Sequence, residues 1–214
     1  MNTTDYLLEK YGLNPNLNMP QVIPGMLRKN LYELFAQLGF KVGAEIGVFR
    51  ARNAREMFRR IPGLKLYGVE TFADQPTSTR HKTVPRYERN KNATAGRMKD
   101  RDFTLIEKFS EEAVQDIPYG SLDFVYIDGD HSYDYVMTDI ILWARRVRPG
   151  GIVSGHDYIL PGEYRHKFDI NVRDAVDDYV SVHKISPLYL TDKTIGVNKS
   201  DKCPSWWFVK QWSR

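Results

Sequence analysis

From Leu122 to Ile127 the chain is apolar apart from Asp123, and it ends abruptly in Asp128-Gly129-Asp130-His131. A short run that is apolar on both of its alternating faces fits a strand covered by helices on each side, the situation of a parallel sheet. The same unit recurs along the chain. Val42 to Ile46 closes in Gly47 and precedes Ala51 to Arg60, which has helical composition and stops at Pro62-Gly63. Leu64 to Val69 closes at Glu70, and Phe103 to Glu107 leads into Lys108-Phe109-Ser110. A helix expected over Tyr133 to Arg146 turns Val136, Ile140, Trp143 and Val147 to one face. Pro149-Gly150-Gly151 stops it, and a strand over Ile152 to Gly155 then delivers His156-Asp157-Tyr158.

Strands alternating with helices in this way specify an α/β fold with a mostly parallel sheet covered on both faces. Before them, Val22, Ile23, Met26, Leu27, Leu31, Leu34, Phe35 and Leu38 recur at spacings of three and four. That predicts one helix ended by Gly39, within an N-terminal helical segment over 1–40. After them, Lys184 to Leu190, Thr194 to Val197 and Ser205 to Val209 have strand composition. With Asn198 to Pro204 as a turn, the last two predict an antiparallel hairpin at one sheet edge and bring the sheet to seven strands.

A chain of 214 residues, 42% hydrophobic, buries one sizeable core, so a single domain over 1–214 is expected. The opening residues lack the order of a signal peptide, and no apolar run approaches the roughly 18 to 20 residues that span a bilayer. A soluble, cytoplasmic protein without membrane partners is the expectation. One cysteine, Cys203, allows neither an internal disulfide nor a thiolate metal cluster. The net charge of +4 comes from 31 basic residues dispersed among 27 acids, which is weak support for nucleic acid as a partner. Basic residues thicken only between Arg80 and Arg101.

In an open parallel sheet, ligands bind beyond the carboxyl ends of the strands, where the crossover direction reverses. Here those ends read Glu45-x-Gly47, Glu70-Thr71, Lys108-x-Ser110, Asp128-Gly129-Asp130-His131 and His156-Asp157-Tyr158. Gly47 stands where the chain turns tightly out of a strand and lets its backbone approach a ligand. Glu70, about two dozen residues later, can accept hydrogen bonds from both hydroxyls of a ribose. Ala51 occupies a place where a second glycine is common, and the dinucleotide fingerprint G-x-G-x-x-G is absent, which argues against an NAD-dependent dehydrogenase.

A carboxylate before a single-glycine turn, with another closing the next strand, resembles the class I S-adenosylmethionine-dependent methyltransferases. The stretch Val125-Tyr-Ile-Asp128-Gly-Asp130-His131-Ser-Tyr133, followed by Arg148-Pro149-Gly150-Gly151 and Gly155-His156-Asp157-Tyr158, is similar to a subgroup of small O-methyltransferases that tailor sugars and antibiotics. The similarity spans roughly Val42 to Tyr158 and implies a Rossmann-like sandwich that binds S-adenosylmethionine and methylates a small-molecule hydroxyl. On that resemblance Glu45, Gly47 and Asn53 line the methionine part of the cofactor, and Glu70 holds the ribose. Thr71, Phe109 and Ser110 border the adenine, and Asp128 faces the ammonium and sulfonium centres. Lys108 stands where relatives often carry an acid. The segment over 72–101 corresponds to a variable acceptor lid followed by a helix, and its basic character hints at an acidic or phosphorylated acceptor.

Methyl transfer to a hydroxyl needs alignment and a base. Asp130, His131 and His156 are the candidates. Similar enzymes hold magnesium at the ends of the same two strands, which here places it on Asp128 and Asp157, with Asp130 then the favoured base. Without a metal, His131 or His156 takes that role. A cofactor-binding protein without turnover and an RNA methyltransferase are the rival readings, and the acceptor and any self-association stay open.

Overall fold

In a computed structural model of the protein, residues 2–14, 20–72, 84–159, 170–192 and 203–212 are described. Among these residues, eight strands form one sheet: β1 (Gln21–Ile23), β2 (Val42–Ile46), β3 (Lys65–Val69), β4 (Phe103–Ile106), β5 (Leu122–Ile127), β6 (Val147–Gly155), β7 (Tyr189–Thr191) and β8 (Trp206–Val209). Their spatial order is β1-β7-β8-β6-β5-β2-β3-β4. All neighbours are parallel except β8, which runs antiparallel to both β6 and β7. From β2 the chain lays β3 and β4 on one side, then returns to place β5 and β6 on the other. The crossover direction therefore reverses between β2 and β5, and Glu45 lies in register with Tyr126 there.

Among the described residues, seven α-helices cover the sheet: α1 (Thr3–Tyr11), α2 (Arg28–Gln37), α3 (Arg52–Arg60), α4 (Val84–Met98), α5 (Ser110–Ala113), α6 (Tyr133–Ala144) and α7 (Val172–Val182). Alternation along β5 divides the core. Phe124 and Tyr126 pack with Leu31, Tyr32, Phe35, Ala54 and Met57 from α2 and α3, whereas Val125 and Ile127 pack with Val136, Ile140, Trp143 and Val176 from α6 and α7. Each layer thus buries the opposite face of the same strand. Asp123, the polar residue of that strand, stays at its amino end. Its Oδ2 accepts the N–H groups of Lys41 and Val42 at 2.7 and 2.9 Å, and its Oδ1 accepts Arg148 Nε at 2.7 Å.

Three sequence expectations need correction. Val22 and Ile23 belong to strand β1 and not to the helix, because Pro24-Gly25 turns the chain, with Gly25 at a φ of +76°. Paired with β7, this strand belongs to a sheet of eight described strands where seven were expected. The antiparallel pair at the C-terminal end is present, but β8 pairs with Tyr189–Thr191 and lies inside the sheet, which explains why Trp206, Trp207 and Phe208 are all buried. The strand expected over Thr194 to Val197 falls outside the described residues, as does most of the stretch expected to be a lid. The helix α7 was missed from sequence, although the spacing of Val172, Ala175, Val176 and Tyr179, its buried face, carried the signal. Among the described residues, no helix is long and apolar enough to cross a membrane.

Candidate active site

The carboxyl ends of β2 and β5 meet at Gly47. Its φ is +88°, and a Cβ there would stand 2.1 Å from the carbonyl oxygen of Asp128, so no other residue fits without moving the neighbouring strand end. Two cavities adjoin this point and share Gly47, Phe49 and Asp128. The first, of about 260 Å³, is bordered by Glu70, Thr71, Phe109, Ser110, Asp130 and Asp139. The second, of about 560 Å³, is bordered by Glu45 and Asn53 and by a group of arginines. All eight residues expected around the cofactor therefore border one or other cavity.

Glu45 is buried and accepts Asn53 Nδ2 on Oε1 at 2.9 Å, while its Oε2 is buried without a hydrogen-bond partner. Asn53 is held in turn by the hydroxyl of Tyr32, which donates to Asn53 Oδ1 at 2.5 Å. Loss of water pushes the Glu45 carboxyl up to about 8, against the bond from Asn53 and with help from the charge of Asp128. A buried carboxyl in this condition lacks a cation or a donor. Glu70 accepts the N–H of Phe49 on Oε2 and that of Phe72 on Oε1, each at 2.8 Å, so it ties the turn after β2 to the end of β3. Each oxygen keeps further acceptor capacity, and Glu70 borders the first cavity.

On the opposite wall, Trp143 Nε1 donates to Ser110 Oγ at 2.7 Å, and Ser110 Oγ donates to Asp139 Oδ1. Burial raises the Asp139 carboxyl to about 7, although the serine bond opposes it. Asp139 was missed from sequence. Its signal was an acid on the apolar face of α6, between Val136 and Ile140. Phe109 is 40% exposed at the mouth of this cavity. Lys108 pairs with Asp116 at 2.5 Å instead of facing it with a free charge.

Beside Asp128 lies a cluster of ligand atoms. One atom each from Asp128, His131 and Asp157 come within 4.8 Å of one another. His131 Nε2 stands 2.9 Å from Asp157 Oδ2 and 3.6 Å from Asp128 Oδ1, yet it is buried without an aligned hydrogen bond to either oxygen. Burial disfavours a charged His131, but the two carboxylates outweigh it and push the imidazole up to about 10. Burial likewise raises Asp157, and the histidines on both sides outweigh that and hold it far below the carboxylate range. Two carboxylates gathered around a ring nitrogen that bonds to neither fit a divalent cation. The nitrogen donor suits Mn²⁺ or Zn²⁺ at least as well as the all-oxygen set expected for magnesium. His156 sits behind the cluster, its Nδ1 3.0 Å from Asp157 Oδ1, where it orients that carboxylate. Asp130 Oδ1 accepts both the N–H and the hydroxyl of Ser132, at 2.9 and 2.7 Å, at the entrance to α6. Burial and the charge of Asp157 push the Cys203 thiol up to about 12, and the thiol is not one of the three groups whose atoms converge.

A reversed parallel sheet with an acid-Gly turn at its switch point and a second acid on the neighbouring strand defines the Rossmann-like fold of the class I methyltransferases. A family model described as "Methyltransferase domain" matches residues 43–158, and the chain belongs to that family. Among solved structures it is similar to an O-methyltransferase from Streptomyces achromogenes involved in tomaymycin synthesis, TomG, in complex with S-adenosylmethionine, at 17% identity and a TM-score of 0.59, covering 95% of this chain and 86% of that one. A putative O-methyltransferase from Klebsiella pneumoniae is similar at 19% identity and a TM-score of 0.59, covering 97% and 90%. A precorrin-6y C5,15-methyltransferase from Geobacter metallireducens reaches 17% identity and a TM-score of 0.57, covering 86% and 87%. None of the curated proteins with which the sequence was compared matches it.

Proposed function

We propose that the protein transfers the methyl group of S-adenosylmethionine to a hydroxyl of a small molecule, with a divalent cation assisting. The observation that carries this reading is the convergence of Glu45, Gly47, Glu70 and Asp128 on adjoining cavities at the switch point, with the cluster of Asp128, His131 and Asp157 directly beside them. Glu70 offers its remaining lone pairs to the ribose hydroxyls, and Thr71, Phe109 and Ser110 border the adenine. Glu45, steadied by Asn53, offers its unpartnered oxygen toward the ammonium of the methionine end, where a positive charge would satisfy it. Gly47 lets the backbone come close to the methionine chain.

The sulfonium already activates the methyl carbon, so the work of the protein is alignment and proton removal. A cation held by Asp128, His131 and Asp157 would orient the acceptor's hydroxyl and lower its pKa. Asp130, bordering the first cavity and fixed through one oxygen by Ser132, takes the hydroxyl proton. His156 keeps Asp157 in position. The O-methyltransferases from Streptomyces and Klebsiella among the similar structures favour oxygen as the acceptor atom.

Calorimetric titration with S-adenosylhomocysteine, with and without Mg²⁺ or Mn²⁺ and with NAD as a control, tests the reading. Micromolar binding of S-adenosylhomocysteine and none of NAD is expected, followed in an acceptor screen by methyl transfer that EDTA suppresses. Folded protein that gives neither heat nor a thermal shift with S-adenosylhomocysteine would refute it. Binding without turnover on any acceptor would leave a cofactor-binding protein.

A further inference from the structure

The second cavity is lined by Arg28, Arg50, Arg52, Arg55, Arg59 and Arg97, brought together from the start of α2, the turn after β2, one face of α3 and the end of α4. Three carboxylates share its border, Glu45, Glu56 and Asp128, and Glu56 is already paired with Arg59 and Arg60 at 2.6 and 2.5 Å. Among the described residues that line it, arginines therefore outnumber carboxylates. The chain as a whole carries only +4, so this is a local concentration and not a property of the surface at large. Arg97 spends one nitrogen on the carbonyls of Arg50 and Ala93, and Arg50 Nε donates to Asn90 Oδ1, which steadies both groups at the rim.

We infer that this arginine-lined cavity binds the acceptor through a phosphate ester, so that the methylated molecule is a phosphorylated small molecule. The inference rests on the methyltransferase reading and deepens it. Guanidinium groups present forked donors that match phosphate oxygens, and several forks converging in one hollow exceed what a single cofactor carboxylate would use. The volume of about 560 Å³ falls in the range of small-ligand sites. A nucleic acid would call for a stripe of basic residues along a face, whereas these six close around a concavity. The cavity shares Gly47, Phe49 and Asp128 with its neighbour, so a molecule anchored on the arginines extends to the place where the methyl group would be transferred.

The test is calorimetric titration of inorganic pyrophosphate, as a stand-in for the phosphate anchor, onto metal-free protein saturated with S-adenosylhomocysteine. The parent should bind one pyrophosphate saturably. The double variant R52Q/R55Q, which changes two exposed side chains, should bind it about tenfold or more weakly while keeping its S-adenosylhomocysteine affinity. R145Q/K184Q, of equal charge change and outside the cavity, should behave as the parent. No saturable pyrophosphate binding in protein that binds S-adenosylhomocysteine normally would overturn the inference alone, as would an equal loss in both double variants. Tighter binding of a single-stranded RNA oligonucleotide with steep salt dependence would overturn it in favour of a nucleic acid acceptor. Absence of S-adenosylhomocysteine binding in the parent would overturn the methyltransferase reading and this inference with it.

Discussion

Glu45 and Asp139 are each buried with one hydrogen-bonded oxygen, and both are pushed up toward neutral pH by loss of water. Such groups cost the folded protein stability that a function must justify. For Glu45 the expected outcome of Glu45→Gln is a higher melting temperature without ligand, because the isosteric amide keeps an acceptor for Asn53 and removes the buried acid. The same change should weaken S-adenosylhomocysteine about tenfold or more by calorimetry, through loss of the charge facing the ammonium. For Asp139, the folded value of about 7 lies above the ordinary 3.8, so the native state binds more protons than the unfolded chain between these values. Its contribution to stability therefore falls as pH rises through that window and is fully lost above it. Denaturation of Asp139→Asn from pH 4 to 8 should show a shallower decline than the parent, with the variant more stable by about 1 kcal/mol or more at pH 8. Neither role is visible in composition. The acid before Gly47 stood out as part of a strand end, but Asp139 looked like one more residue of a helix until Ser110 and Trp143 were found against it.

At the scale of elements, Asp123 joins the amino ends of β2, β5 and β6 opposite the site, through two backbone N–H groups and Arg148. Burial raises this carboxyl, but those bonds outweigh it and lower its pKa, so its stabilisation is present at neutral pH and is lost as pH falls through the carboxylate range. Asp123→Asn should lower the urea midpoint by an amount corresponding to about 1–3 kcal/mol with no change in slope, since no new surface is exposed on unfolding. Most elements were legible because each strand buried on two faces must be short and apolar, and each helix on the sheet must repeat its apolar face every three to four residues. β5 has the expected bounds, whereas β6 starts earlier, at Val147, with Arg148-Pro149-Gly150 forming an irregularity against β5. Pro24-Gly25 was the missed signal. Its turn separates β1 from α2, although the apolar spacing runs through both without a break.

For the whole molecule, ligand binding should couple the halves of the sheet that meet at Gly47. S-adenosylhomocysteine at a hundred times its dissociation constant should add about 2.7 kcal/mol to unfolding, read as a rise in melting temperature of several degrees. His156→Gln, which loosens the hold on Asp157, should weaken Mn²⁺ binding by about 10- to 100-fold and leave that S-adenosylhomocysteine shift in place. Sequence by itself determined that the chain is an α/β protein, that its strand ends are polar, and that Asp128-Gly-Asp130-His131 and His156-Asp157 lie on one rim, since periodicity and abrupt polarity changes are local properties. Tertiary structure alone decided that β8 enters the sheet between β6 and β7, that His131 stands between two carboxylates, and that six arginines from four segments surround one cavity. These depend on how distant segments are brought together, and spacing along a chain carries no measure of that distance.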